Sequence, residues 1–181
     1  KNPDIFAKIG EAYLSNKKPN GNKAVEYLSI ARDMNPSVAK YWALLGDAYE
    51  LTGEHGEAMT CYETAIKKDP TISSAYISMA RIWTKAKQDS LAIPLLEKAI
   101  ELSPNDAQPY KYLIELYIKN GKYAKVTPLL DKYVSLSGDD VDAKVRLVKF
   151  LTFQAKDYDR AILEGEKLLE TNPEQYTLHR W

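Results

Sequence analysis

The sequence has 181 residues, and its 25 lysines and arginines are matched by 25 aspartates and glutamates, so the formal net charge at neutral pH is zero. That balance argues against nucleic acid or an anionic membrane surface as partner, since both select a basic excess. With 8 glycines, 9 prolines, 45% apolar and 28% charged residues, collagen-like, low-complexity and disordered classes are excluded. The longest run without a charged residue or histidine is residues 70–80, well short of the roughly 18 that a membrane span requires. A single cysteine, Cys61, rules out an internal disulfide and a cysteine-rich metal site.

Residues recur in register along the chain. Pro36, Pro70 and Pro104 stand 34 residues apart, Gly138 fills the next place, and Pro173 follows 35 later. Ala24, Ala58 and Ala92 keep the same interval, continued by Val126 and Ala161, and so do Ala31, Ala65 and Ala99, continued by Tyr133 and Leu168. The period divides the chain into units at 3–36, 37–70, 71–104, 105–138 and 139–173, with 174–181 as the start of a sixth. Within each unit, apolar residues fall at helical spacing on both sides of a turn, which predicts a hairpin of two helices, A and B. The prolines end helix B, because proline disfavours helix in the residue before it and lacks the donor to continue one.

The first unit has two extra residues in its turn, around Lys18, Pro19, Asn20 and Gly21. The second is the most regular: Trp42, Leu45, Gly46, Tyr49, Ala58, Tyr62 and Pro70. Pro94 and Pro128, at equivalent places near the start of helix B in the third and fourth units, predict a late helix start or a slight kink. The fifth unit is the most divergent, with Lys144 in the usual aromatic place, and its extra residue before Tyr158 should lengthen helix A or its turn. In residues 137–140, Ser137, Gly138, Asp139 and Asp140 read as a helix cap with acidic first-turn residues. They lack the alternating ligands of a calcium loop.

The second unit resembles the tetratricopeptide repeat family, whose pattern is W-x2-L-G-x2-Y, then A-x3-F, then P within 34 residues. The other four units are looser versions in the same register. The resemblance implies an all-α, right-handed superhelical solenoid, with 1–181 as a single array. It also implies that helix A lines a concave groove, through the second, fifth, ninth, twelfth and thirteenth places of each unit. In this sequence the first unit supplies Asp4, Ala7, Glu11, Leu14 and Ser15, and the second Lys40, Ala43, Asp47, Glu50 and Leu51. The third supplies Ser74, Ile77, Arg81 and Lys85, the fourth Lys111, Glu115, Ile118 and Lys119, and the fifth Lys149 and Phe153.

Charge along these places is uneven. The first two units present Asp4, Glu11, Asp47 and Glu50 against Lys40, whereas the later units present Arg81, Lys85, Lys111, Lys119 and Lys149 against Glu115 and Asp142. A peptide with an acidic part near Arg81 and Lys111, and apolar side chains against Ile77, Ile118 and Phe153, is the expected ligand. Some members of the family hold a terminal carboxylate with lysines and asparagines. The asparagines are absent here, so chaperone tails are not expected to bind.

No residue pattern points to catalysis, a cofactor or a metal. His55 and His179 lack ligand partners at helical spacing, Cys61 reads as a packing thiol, and no glycine-rich phosphate loop is present. Most of the 13 tyrosines, including Tyr13, Tyr49, Tyr62, Tyr110, Tyr117 and Tyr133, occupy packing columns. A base-stacking surface would need a basic stripe between the rings.

The sequence therefore predicts a non-enzymatic scaffold for a protein or peptide, without nucleic acid and without membrane insertion. The alternative is the recognition or self-assembly region of a longer enzyme, regulator or envelope-assembly protein, self-association running through the sixth unit. Beginning at Lys1 and breaking off within that unit, the chain reads as a fragment or processed form, of bacterial envelope or cytoplasm.

Overall fold

In the computed structural model the described residues are 2–172. Pro173 and the predicted opening of a sixth unit at 174–181, with His179, lie outside them, as does any self-association through that unit. The described residues form ten α-helices in a continuous series of hairpins. The chain divides into two compact units, Lys1–Ser103 and Pro104–Trp181. In the first, α1 (Pro3–Ser15) pairs with α2 (Gly21–Met34), α3 (Ala39–Thr52) with α4 (His55–Lys68), and α5 (Ser73–Lys85) with α6 (Asp89–Leu102). In the second, α7 (Ala107–Lys119) pairs with α8 (Val126–Leu136), and α9 (Val141–Phe150) with α10 (Tyr158–Thr171).

The recurring columns form the interior. Ala24, Ala58, Ala92 and Val126 are fully buried, as are Ala31, Ala65 and Ala99. Leu28, Leu45, Leu96 and Leu130 also have 0% exposure, each burial contributing about 1.5–3 kcal/mol. The small residues set how closely the two helices approach. A Cβ on Gly10 would lie 2.5 Å from Leu28 Cγ, and one on Gly46 would lie 2.5 Å from the Tyr62 ring. In the last hairpin the sizes are exchanged, for Val148 stands in the glycine column and Gly165 faces it, where a Cβ would meet Val148 at an ordinary 3.8 Å.

The proline column has two structural effects. The residues before Pro36, Pro70 and Pro104 adopt φ of −146°, −139° and −138°, and each donates its amide to the carbonyl four residues back, on Ala31, Ala65 and Ala99. The ring following each of them excludes the helical conformation. The proline carbonyl then accepts a bond from the next helix A: from Trp42 Nε1 to Pro36 at 2.9 Å, from the Tyr76 hydroxyl to Pro70 at 3.2 Å, and from the Tyr110 hydroxyl to Pro104 at 3.0 Å. The fifth repeat lacks both partners. With Gly138 in place of proline, Ser137 stays helical at φ −82°, and the glycine makes the turn at φ +57°. Lys144, in the aromatic place, approaches Asp139 at 3.6 Å instead.

Within hairpins, a left-handed residue closes helix A: Gly53 (φ +86°), Lys87 (+59°), Gly121 (+67°) and Lys156 (+57°). The next residue donates back to helix A, from Glu54 to Tyr49, Gln88 to Trp83, Lys122 to Tyr117 and Asp157 to Leu151. The last of these bonds spans one residue more than the others. The extra residue of the fifth repeat is absorbed in a π turn, Leu151–Ala155, that prolongs α9.

The expected effect of the two prolines appears once. α6 starts at Asp89, in register with the start of α4, and continues through Pro94, because the amides of Leu91 and Ala92 already bond to the Gln88 carbonyl upstream of the ring. α8 does start late, after a 3-10 turn, Tyr123–Lys125, with Pro128 as its third residue. Since the two prolines are equivalent, the segment ahead of them sets the start. Residues 137–140 cap a helix, as expected: the Asp140 carboxylate accepts from the amides of Asp142 at 2.9 Å and Ala143 at 3.3 Å.

Two glycine substitutions separate close approach from chain flexibility. Gly46→Val forces a branched side chain into the Tyr62 ring and lowers stability by about 1–3 kcal/mol. Gly56, at the exposed start of α4 with open space around it, gains about 0.4–1 kcal/mol on change to alanine. Urea unfolding of both variants measures the two signs; a Gly46→Val protein as stable as the parent would mean that the ring yields.

Candidate functional site

In the first unit the A helices α1, α3 and α5 lie beside one another, and polar side chains link them. The Tyr41 hydroxyl on α3 donates to Asp4 on α1, and Lys40 approaches Glu11 at 3.3 Å. Between α3 and α5 the links are more buried. Asp47 Oδ1 accepts from the Tyr62 hydroxyl at 2.7 Å and from the Ser78 hydroxyl at 3.1 Å. Glu50, whose side chain is 7% exposed, receives Arg81 through Nε at 3.1 Å and Nη2 at 2.6 Å, and Lys85 Nζ at 2.7 Å. Asp47, Glu50, Arg81 and Lys85, with Leu14 and Leu51, line an open depression of about 340 Å³ on the helix-A face.

The predicted basic stretch is thus partly compensated at its start, since Glu50 of the second repeat pairs with Arg81 and Lys85 of the third. Arg81 and Lys111, joined in sequence as one acid-binding site, belong to different units. Ile77 is 3% exposed, and the residues at the same place in the first two repeats, Ala7 and Ala43, are also buried. Throughout the first unit this place is interior, and the apolar groups on the depression are Leu14 and Leu51 instead. Ser74 is exposed at the start of α5.

In the second unit Lys111, Lys119 and Lys149 are exposed, Ile118 is half-buried, and Glu115 approaches Arg146 at 3.3 Å. Phe153 is 48% exposed within the π turn. Tyr62 and Ser78 hold Asp47 but were not among the predicted groove residues. A tyrosine in a fully buried column signals a hidden hydroxyl that needs a partner, and this was the available clue to Asp47.

Burial pushes the Asp47 carboxyl above the ordinary aspartate range, against the bonds from Tyr62 and Ser78 and the charge of Arg81. Burial also acts on Glu50, but there the hydrogen bonds and charges of Arg81 and Lys85 outweigh it and hold the carboxyl below its usual range. The Cys61 thiol, 5% exposed, is pushed up to about 11 by burial and stays protonated at neutral pH. Among the described residues no group of three or more His, Cys, Asp or Glu could hold a metal, and no helix is long and apolar enough to cross a membrane. The depression offers fixed charges of both signs beside exposed leucine, an arrangement suited to holding a chain segment.

The two carboxyls titrate with opposite effects on stability. Asp47, raised on folding, contributes stability below the ordinary aspartate range that is lost as pH rises through its folded value; Glu50, lowered on folding, contributes stability above 4.5 that is lost as pH falls through its folded value. Glu50→Gln therefore lowers stability at pH 7 by about 1–3 kcal/mol, and the deficit shrinks as acid protonates Glu50 in the parent. Urea unfolding across the acid range measures this. A deficit constant down to the acid limit would remove the ion pairs as its source.

Residues 39–72 match the family model described as tetratricopeptide repeat. No curated protein matches the sequence. Solved structures match the fold at low identity. One titled as a crystal structure of MamA protein has 19% identity and a TM-score of 0.73, covering 97% of this chain and 94% of its own. MamA from Desulfovibrio magneticus RS-1 has 21% identity and a TM-score of 0.72, with 96% of each chain covered. YrrB, titled a TPR protein with an unusual peptide-binding site, has 16% identity and a TM-score of 0.67, covering 97% of this chain and 89% of its own. The paired helices, the 34-residue columns and the match over 39–72 agree: the fold is an all-helical series of tetratricopeptide-type hairpins, and the second of them matches the family model itself.

Proposed function

We propose that the protein is a non-enzymatic interaction scaffold that holds a peptide or protein segment on the helix-A face of its first unit. The observation that carries this reading is the depression at Leu14, Asp47, Glu50, Leu51, Arg81 and Lys85. Its polar groups are held by one another, so a ligand need not order them, and that lowers the cost of association. Leu51, 47% exposed, supplies apolar contact in its lining. A segment binding here is read by an apolar side chain between the two leucines, with Lys85, whose side chain is 58% exposed, at the edge. The peptide-binding description of YrrB, a structural relative, is consistent with this reading.

Self-association is the second reading, favoured by one observation. α10 exposes Tyr158, Ile162 and Leu163 at 57%, 59% and 50%, an apolar surface of the kind that pairs chains. Light scattering that rises in mass with concentration would support it.

Charge reversal at Arg81 is a poor probe of the depression, because Arg81→Glu places a carboxylate against buried Glu50 and lowers stability. Leu51→Asp leaves the ion pairs in place. In affinity capture from source cells, a protein held by the parent is lost from Leu51→Asp while the thermal midpoint is kept. Equal capture by both would overturn the assignment to this face.

A further inference from the structure

We propose that the turn edge of the second unit is a separate docking surface for an acidic protein segment carrying apolar side chains. The 3-10 turn Tyr123–Lys125 and the π turn Leu151–Ala155 lie side by side, and the Tyr123 ring meets Phe150 edge-on, centroids 6.2 Å apart. The Lys122 and Lys125 ammonium groups both lie over the Tyr117 ring, at 5.8 and 5.3 Å from its centre. Lys156, which closes the π turn, adds a third exposed cation. Between them Tyr123 and Phe153 are 41% and 48% exposed.

The chain puts little acid opposite these lysines. Residues 116–130 and 143–156 contain no aspartate or glutamate. Of the nearest acids, Glu115 pairs with Arg146, Asp131 with Arg160, and Asp157 accepts the amide of Arg160 at the start of α10. Asp159, in the first turn of α10, adds a partial counterweight. A chain of zero net charge thus gathers a local positive excess at one edge. Fixed like charges beside exposed aromatic rings complement an acidic segment with apolar side chains. Three lysines are few for a membrane surface, where each contributes about 1 kcal/mol, and they form no continuous stripe for a nucleic-acid backbone.

This surface is independent of the depression in the first unit, and one experiment distinguishes them. The probe is a fluorescein-labelled peptide of repeating Glu, Phe and Leu, titrated with the whole chain and read by anisotropy. The expected result is saturable binding that weakens about tenfold or more in Lys122→Glu with Lys125→Glu, weakens in Phe153→Ser, and is unchanged in Leu51→Asp. All four positions are exposed, and circular dichroism of each variant checks its helix content. Binding that survives the paired lysine reversal overturns the proposal, as does an absence of saturable binding. Loss in Leu51→Asp alone would move the peptide to the first unit and leave that earlier reading standing. Tighter binding to phosphatidylserine vesicles or to single-stranded polydeoxythymidine would likewise overturn the assignment to a protein segment.

Discussion

In the first two hairpins helices A and B approach so closely that one of two facing side chains must be small. Gly46 lies against the Tyr62 ring and Gly10 against Leu28, each with no room for a Cβ, while Val148 faces Gly165 with the sizes reversed. Protein interiors are packed densely enough that an added methyl group is felt. The fifth repeat, poor in motif residues, still forms a hairpin.

The close approach also determines where Asp47 goes. Tyr62 fills the space beside Gly46, and its hydroxyl reaches past the backbone to the Asp47 carboxylate, where the Ser78 hydroxyl joins it. One carboxylate oxygen therefore ties α3 to its own helix B and to the next helix A. Glu50, one turn further along α3, ties it to the next helix A alone, through Arg81 and Lys85. The helix-A face of the first unit is consequently both a structural joint and the wall of the depression. A group fixed in this way can meet a ligand without losing further side-chain entropy.

The electrostatic picture changes between sequence and structure. Along the chain the acids of the early repeats and the bases of the later ones look like two poles. In the fold, Glu50 pairs with both Arg81 and Lys85, and a further positive cluster gathers at Lys122, Lys125 and Lys156. Those lysines lie in turns between helices A and B, outside the helix-A places that a repeat alignment selects. Contacts between successive A helices join residues about 30 apart, so an acid in one repeat meets a base in the next.

The sequence by itself determined the helical hairpins and most of the interior. These rest on local chemistry: apolar spacing and the conformational limit that proline places on the residue before it. The cap at Asp140 and the lengthened end of α9 were legible for the same reason. Tertiary structure alone decided that Ile77 is interior, that Pro94 leaves the start of α6 in place, and that Glu50 takes both cations of α5. Each of these depends on which neighbour a side chain meets across a helix interface, and burial and charge pairing are properties of that meeting.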